Sequence, residues 1–238
     1  MSLRRKVPQT VVEREITIAA GKVALDGSLA LPSGATGLVL FAHGSGSSRR
    51  SPRNRYVAQV LQAAGIGTLL FDLLTREEES IDRYTAEFRF DIGLLTERLV
   101  DATRWVISQP EMQRLKLGYF GASTGAAAAL VAAAKLADAI SAVVSRGGRP
   151  DLAEDALDSV RAPTLLIVGG DDEPVISMNR GALARLHQAE KELVIIPGAT
   201  HLFEEPGKLE EVARIAAEWF TRYLTSSAKS EAATSVRR

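Results

Sequence analysis

The chain has 238 residues, a length that suits one large α/β domain, and its 29 basic and 29 acidic residues leave no net charge. This balance argues against bulk electrostatic attraction to nucleic acid or to anionic membranes, so we expect neither as a partner. Because there is no cysteine, disulfides, cysteine-ligated zinc and a cysteine nucleophile are excluded.

Two features of the sequence bear on localisation. The first ten residues carry basic side chains with no apolar run behind them, which does not fit a secretory signal. The most apolar stretch, residues 126–134, is too short to span a bilayer and reads as a buried helix. We therefore expect a cytoplasmic protein.

The predicted strands begin with residues 11–18, where apolar and charged side chains alternate as in an antiparallel edge strand. A second strand at 22–31 contains Asp26 and Gly27, a pair typical of turns. Continuous apolar runs follow, as in parallel strands covered on both faces. They lie at residues 38–41, 65–70, 115–120, 140–144, 164–168 and 193–196.

Helical periodicity or composition marks the segments between these runs, at residues 55–64, 90–108, 123–136, 180–189 and 209–224. The alternation predicts a mainly parallel sheet with helices on both faces, in a single domain over residues 1–225. The small, polar residues 226–238 predict a disordered tail. Acidic residues 75–85 predict a loop or short excursion above the sheet, and whether 75–88 closes over a site stays open.

A candidate nucleophile stands in the motif Gly-Ala-Ser-Thr-Gly at residues 121–125. A predicted strand precedes it and a predicted helix follows it. This setting exposes a serine hydroxyl at a sharp turn above the sheet, and the small flanking residues let the two backbone arms approach. We therefore predict that Ser123 is the nucleophile of an acyl-transfer reaction.

Serine needs a base to accept its proton, and the chain offers three histidines. His187 falls within a predicted helix and His43 follows the first apolar run directly. His201 follows the last predicted strand, so it should lie at the same sheet edge as Ser123. We predict that His201 is the base.

The imidazole needs a carboxylate to fix its tautomer and stabilise its positive charge. Asp171, Asp172 and Glu173 all follow the predicted strand 164–168. Position alone leaves the choice among the three open, because each would reach the same edge of the sheet.

The loop His-Gly-Ser-Gly at residues 43–46 follows the first parallel strand. Two backbone N–H groups must stabilise the oxyanion of acyl transfer. One should come from Thr124, directly after the nucleophile, and the other from Ser45 or Gly46. We expect His43 to brace this loop by hydrogen bonding.

Together, four segments resemble the α/β-hydrolase superfamily, closest to its dienelactone-hydrolase-like branch: residues 43–46, 121–125, 169–172 (Gly-Gly-Asp-Asp) and 198–203 (Gly-Ala-Thr-His-Leu-Phe). The resemblance implies an α/β-hydrolase fold with antiparallel N-terminal strands and no large cap domain. In that family the acid typically precedes a valine by three residues, which favours Asp172 because Val175 follows it. Dienelactone hydrolases use a cysteine nucleophile where this chain has Ser123, so dienelactone is not implied as the substrate.

The expected protein is thus a serine hydrolase of small-molecule carboxylic esters, without metal or cofactor, as a monomer or homodimer. A thioesterase, peptidase or perhydrolase could use the same triad, and a binding protein could use the same fold without turnover. A dinucleotide site is disfavoured because Arg49 occupies the third glycine position of the required motif.

Arginines follow two of the predicted strands at this edge, at positions 49, 50, 53 and 55 and again at Arg146 and Arg149. One hypothesis is that one or more of these arginines, with Arg146 and Arg149 as the named candidates, faces the pocket and favours an acidic or phosphorylated substrate. The alternative is that such arginines are solvated or paired with acids such as Asp72 or those at 77–79.

Overall fold

A computed structural model describes residues 10–225 of the chain, so the tail predicted at 226–238 lies outside the described residues. Eight strands form one sheet in the order β1-β2-β4-β3-β5-β6-β7-β8. Strands β3 to β8 are parallel, whereas β2 runs antiparallel to both β1 and β4. The strand bounds are β1 Val11–Ala20, β2 Val23–Pro32, β3 Gly37–Ala42, β4 Gly67–Phe71, β5 Lys116–Ala122, β6 Ile140–Arg146, β7 Thr164–Gly169 and β8 Lys191–Ile196.

Helices cover both faces of this sheet, as the alternating pattern predicts. Their bounds are α1 Pro52–Ala63, α2 Arg76–Thr85, α3 Ile92–Ser108, α4 Thr124–Leu136, α5 Glu173–Arg185 and α6 Lys208–Leu224. Apolar side chains of α1 and α6 pack on one face, and those of α3, α4 and α5 pack on the other. No large cap domain interrupts residues 10–225. The predicted fold class is confirmed.

The turn predicted at Asp26 and Gly27 is wrong, because both residues lie inside β2 and pair with β1. The chain instead turns at Gly21, whose φ of 58° lies in the left-handed region. Gly27 is closely packed within the sheet: a Cβ there would lie 3.2 Å from the Ile16 side chain and 3.3 Å from that of Phe71.

The segment 75–85, predicted to be a loop or a short excursion above the sheet, forms helix α2. Its first turn is closed by a capping box, in which Thr75 Oγ1 accepts from the Glu78 N–H (3.2 Å) and Glu78 Oε2 accepts from the Thr75 N–H (2.8 Å). Acidic side chains in the first turn also suit the positive end of the helix dipole. These local interactions form a helix that buries only Asp82.

Helix α5 begins earlier than predicted, at Glu173 rather than at residue 180, with Pro174 in its first turn. Proline is tolerated there because the first N–H groups of a helix have no intrahelical partner. The helix ends at Arg185, so His187 lies beyond it, and its side chain is 67% exposed. The placement of His187 within a helix is therefore wrong.

Candidate active site

Ser123 stands at a sharp turn between β5 and α4. Its backbone is strained, with φ 50° and ψ −122°, a conformation that costs on the order of 1–3 kcal/mol in a residue other than glycine. The two glycines of the motif allow the close approach on either side. A Cβ on Gly121 would lie 2.4 Å from the Ala126 Cα, and one on Gly125 would lie 2.2 Å from the Ala42 carbonyl oxygen.

The loop after β3 lies directly against this turn. A Cβ on Gly44 would lie 3.0 Å from the Ser123 Cβ. The Ser45 hydroxyl lies 3.1 Å from the Thr124 hydroxyl, a hydrogen bond that links the two segments expected to supply the oxyanion donors. Ser45, Gly46 and Thr124 all line the same cavity.

His43 holds the loop from behind. Its Nε2 accepts a hydrogen bond from the Leu73 N–H (3.0 Å), so its Nδ1 carries the proton and donates to the Gly44 carbonyl (3.0 Å). Burial lowers the pKa of His43, which keeps the ring neutral in this role. Both bonds fix the path of the backbone rather than reach toward Ser123.

The structure joins His201 to Asp172. His201 Nδ1 lies 2.7 Å from Asp172 Oδ2, within the range of a strong hydrogen bond. The Asp172 side chain is 14% exposed, whereas Asp171 and Glu173 are exposed to solvent. Of the three competing acids, Asp172 is therefore the one that contacts the histidine.

Backbone hydrogen bonds join the loop that carries Asp172 to the loop that carries His201. The Asp171 N–H donates to the Ala199 carbonyl (2.9 Å), and the Gly170 N–H donates to that of Ile196 (2.8 Å). A Cβ on Gly169 would lie 2.3 Å from the Ala199 carbonyl oxygen, so a side chain there would force the loops apart. The Asp172–His201 pair rests on this packing.

Ser123 and His201 meet the same short segment at the end of β6. The Ser123 N–H donates to the Arg146 carbonyl at 3.4 Å. A Cβ on Gly147 would lie 3.6 Å from His201 Cε1. No hydrogen bond among residues 10–225 joins Ser123 to His201 directly. The two residues thus share one edge of the sheet, flanking residues 146–147.

A cavity of about 350 Å³ opens beside the loop after β3 and extends under α2. Side chains of α2 and of the turn that follows it line this cavity together with the loop after β3, whereas Ser123, Asp172 and His201 do not line it. The lining includes Ser45, Gly46, Glu79, Arg83, Arg89 and Thr124. Of these, Glu79, Arg83 and Arg89 are not among the candidate site residues that the sequence suggests.

Neither Arg146 nor Arg149 lines this cavity. Arg146 is 6% exposed, its guanidinium bonds Asn54 Oδ1 (3.3 Å), and its guanidinium carbon lies 5.9 Å from the Phe203 ring centroid. Burial, together with repulsion from a neighbouring arginine, lowers the pKa of Arg146 to about 10. Arg149 is paired with Asp151, its Nη2 2.7 Å from Oδ2.

Two arginines of the cluster after β3 are engaged in ion pairs. Arg49 pairs with Asp72, in agreement with one of the alternatives raised by the sequence, and also approaches Glu15 at 3.4 Å. Arg53 pairs with Glu204 at 2.8 Å. These pairs lie beside the site and fasten its loops to neighbouring elements.

Among residues 10–225, no group of three or more histidine or acidic side chains is arranged to hold a metal ion. The same residues contain no helix that is both long and apolar enough to cross a membrane.

The parallel sheet, the strained serine turn and the acid–histidine pair after successive strands define an α/β hydrolase. Residues 25–229 match the model of the dienelactone hydrolase family, and the chain belongs to that family. A crystal structure of dienelactone hydrolase from Anabaena variabilis is 64% identical, with a TM-score of 0.89 over 90% of this chain and 99% of that chain.

Two further relatives differ in what they share with this chain. A Mycobacterium tuberculosis (H37Rv) protein, whose name proposes a phosphoribosyl transferase, is 57% identical over 212 residues, covering 89% of this chain and 47% of that protein. The chain thus spans about half the length of these curated relatives. Est1E from Butyrivibrio proteoclasticus, at 18% identity and a TM-score of 0.73 over 87% of this chain and 98% of that one, shares the fold.

Proposed function

We propose that the protein is a serine hydrolase that cleaves carboxylic esters of small molecules through a Ser123–His201–Asp172 triad. The observation that carries the proposal is the 2.7 Å contact between His201 Nδ1 and Asp172 Oδ2, at the sheet edge where Ser123 adopts its strained conformation. The acid fixes the proton on Nδ1, which leaves Nε2 as the nitrogen that can accept the serine proton.

In the proposed reaction, Ser123 Oγ attacks the ester carbonyl carbon while His201 Nε2 takes the hydroxyl proton. The carbonyl oxygen becomes an oxyanion, which the backbone N–H groups of Thr124 and of Ser45 or Gly46 stabilise. Each such donor contributes about 3 kcal/mol to catalysis. The alcohol leaves with the proton from His201, and an acyl group remains on Ser123.

Water completes the cycle. His201 removes a proton from the water as its oxygen attacks the acyl carbon, and the proton returns to Ser123 Oγ when the acid leaves. Asp172 stabilises the imidazolium formed in both halves of the reaction. Every proton is accounted for within the triad, so the scheme needs no metal or cofactor.

Phosphoribosyl transfer is not part of this proposal. The relative whose name proposes that activity extends well beyond the region that this chain matches, and the proposed triad accounts for hydrolysis without it. Membership of the dienelactone hydrolase family favours hydrolysis as the reaction class.

The test is hydrolysis of 4-nitrophenyl acetate and butyrate at about pH 7.5, above the ordinary histidine pKa of about 6.5. We expect turnover by the parent protein and a loss of roughly 10⁴-fold or more in Ser123→Ala. Ser177→Ala, which removes an exposed hydroxyl from α5, serves as the matched control and should keep the parent rate. Equal rates in the parent and Ser123→Ala would contradict the proposal, and matched thioesters and anilides would define the bond cleaved.

A further inference from the structure

Arg146 is a buried cation without an acidic partner. It is the last residue of β6 and is 6% exposed, close to the 9% of Arg98, the other buried arginine of residues 10–225. Arg98 is paired with the Glu78 carboxylate at 2.7 Å. No acid in the same range pairs with Arg146, and its guanidinium makes a single hydrogen bond there, to the neutral Asn54 Oδ1 at 3.3 Å.

An unpaired buried charge of this kind costs stability. Moving a charge out of water is unfavourable unless an opposite charge or several hydrogen bonds compensate for it. Arg146 Nε is buried with no hydrogen-bond partner in the described part of the chain. Burial and repulsion from Arg53 lower the pKa of Arg146 only to about 10, so the side chain stays charged at neutral pH. The fold therefore holds a positive charge here that packing alone does not explain.

The turn that carries His201 is closed by a strained residue. The Phe203 N–H donates to the Thr200 carbonyl (3.2 Å), so His201 lies at the tip of the turn between them. Thr200 is held by Glu205 Oε1, which accepts from its hydroxyl (2.6 Å) and from its N–H (3.2 Å). Phe203 has a φ of 57°, a left-handed conformation that is uncommon for a bulky residue. Its buried ring must be held by packing, and the position of His201 depends on that packing.

Arg146 and Gly147 supply this packing. The Arg146 guanidinium carbon lies 5.9 Å from the Phe203 ring centroid, within the range of a cation–π interaction. A Cβ on Gly147 would lie 3.4 Å from Phe203 Cε2 and 2.9 Å from the His201 carbonyl oxygen, so the turn rests directly on the backbone after β6. Because cation–π interactions are stronger away from water, the buried charge has a role that an apolar side chain would not fill.

The same arginine also contacts the turn that carries the nucleophile. The Arg146 carbonyl accepts from the Ser123 N–H (3.4 Å), and Arg146 is paired with Ala122 in the ladder between β5 and β6. The backbone of Arg146 thus adjoins Ser123, while its side chain packs against the turn of His201. One residue therefore joins the two segments whose side chains must meet in the proposed reaction.

We propose that Arg146 is a positioning residue that acts through the Phe203 ring to hold the His201 turn where its imidazole can accept the Ser123 proton. The inference rests on the proposed esterase function and adds to it a residue that touches neither the substrate nor the reacting atoms. This role differs from the substrate binding that the sequence suggests for Arg146, because its side chain does not line the cavity.

Replacing the charge with an apolar side chain tests the proposal. Arg146→Met should lower kcat for 4-nitrophenyl butyrate about 10- to 100-fold, because a displacement of about 1 Å can cost about 100-fold in rate. It should change KM by less than about 3-fold, since Arg146 does not line the cavity. The urea midpoint should stay equal or rise, because an uncompensated buried charge is removed.

Two further variants separate positioning from a purely structural role. An arginine that only stabilised the fold would lower the urea midpoint when replaced and would leave the kcat of the folded variant near that of the parent. Arg146→Lys keeps a charge beside the ring and should restore part of the lost kcat. Arg214→Met, which removes an exposed arginine paired with Glu218 on α6, is the control and should keep the parent kcat and KM.

A double-mutant cycle tests the route through Phe203. Phe203→Leu removes the aromatic ring and keeps an apolar side chain. If Arg146 acts through this ring, the double variant Arg146→Met/Phe203→Leu should have a kcat within about 3-fold of that of Phe203→Leu alone. Losses of kcat that multiply in the double variant would show that Arg146 does not act through Phe203 and would overturn the inference.

The outcomes distinguish a failure of this inference from a failure of the proposed function. If the parent hydrolyses esters and Arg146→Met keeps the parent kcat, or loses kcat and urea stability together, the positioning role fails and the esterase proposal stands. If no ester is hydrolysed but a fluorophosphonate labels Ser123, the labelling rate replaces kcat. A decrease of about 10-fold in Arg146→Met would then support the positioning role without the esterase function, and an unchanged rate would overturn it. A parent that is neither active nor labelled would overturn both.

Discussion

Lowering the pH should destabilise the fold through His43, whose buried ring holds the loop after β3 (residues 43–46) in place. Burial lowers the pKa of His43 below its ordinary value of 6.5, against the opposing effects of the hydrogen bond to Gly44 and the charges of Asp72 and Glu79. Protonation of Nε2 would also break the bond that it accepts from the Leu73 N–H. His43 therefore binds a proton less tightly in the folded chain than in the unfolded chain.

The size of the effect follows from the difference in proton uptake. The unfolded chain takes up the proton near pH 6.5, and the folded chain does so only at lower pH. The stability associated with neutral His43 is present above pH 6.5 and is lost as the pH falls toward the folded pKa. The loss approaches about 1.4 kcal/mol per pH unit, so moving from about pH 7.5 to about pH 5.5 should remove up to about 1.4 kcal/mol.

Urea unfolding at these two pH values, followed by tryptophan fluorescence, measures this loss. His43→Gln removes the titrating group and keeps an amide oxygen that can accept from the Leu73 N–H. We expect the parent to lose up to about 1.4 kcal/mol more than the variant between the two pH values. Equal losses in both proteins would refute the reasoning, because they would show that other groups account for the pH dependence.

Three further predictions concern single residues. Asp172→Asn should lower kcat about 10⁴-fold, because the amide no longer fixes the His201 tautomer. Asp171→Asn, the control, should keep a kcat near that of the parent. Initial-rate kinetics on 4-nitrophenyl butyrate compare the two variants. Gly125→Ala should destabilise the fold by at least 1–3 kcal/mol in urea unfolding, since its Cβ would meet the Ala42 carbonyl oxygen at 2.2 Å; an unchanged midpoint would contradict this. Thr75→Ala should cost about 1 kcal/mol through loss of the α2 cap, and Thr75→Ser should restore most of it.

Much of the fold could be predicted from the sequence because the parallel strands are continuous apolar runs, which have few alternative interpretations. The same argument placed Ser123, Asp172 and His201 at one edge, since each follows such a run. The choice of Asp172 over Asp171 and Glu173 required the family resemblance. Adjacent loop residues reach the same region of the molecule and differ in the direction of their side chains, which the sequence does not show.

The errors arose where local interactions outweighed the apolar pattern. Helix α2 has few apolar residues and forms around the Thr75–Glu78 capping box, a signal that the sequence contains but that the apolar pattern does not show. The pair Asp26–Gly27 is typical of turns, but pairing with β1 keeps both residues inside β2, where Gly27 packs closely against side chains of neighbouring strands.

Arg89 could not have been found from spacing alone. Its partner Asp82 lies seven residues earlier, in a helix that the apolar pattern does not predict, and its distance from Gly46 depends on how α2 is placed over the sheet. Arg146 and Arg149 were better candidates by position, since both follow β6. Whether an arginine at a sheet edge faces the cavity or packs inward depends on side-chain direction and on the nearest acid.

The proposed mechanism requires that Ser123 is an activated nucleophile, and labelling with a fluorophosphonate followed by peptide mass spectrometry examines this directly. This reagent needs an activated serine but no knowledge of the natural substrate. We expect a single adduct on Ser123, no adduct in Ser123→Ala, and much slower labelling in His201→Ala. An unlabelled parent protein, or an adduct on a different serine, would show that Ser123 is not the activated nucleophile.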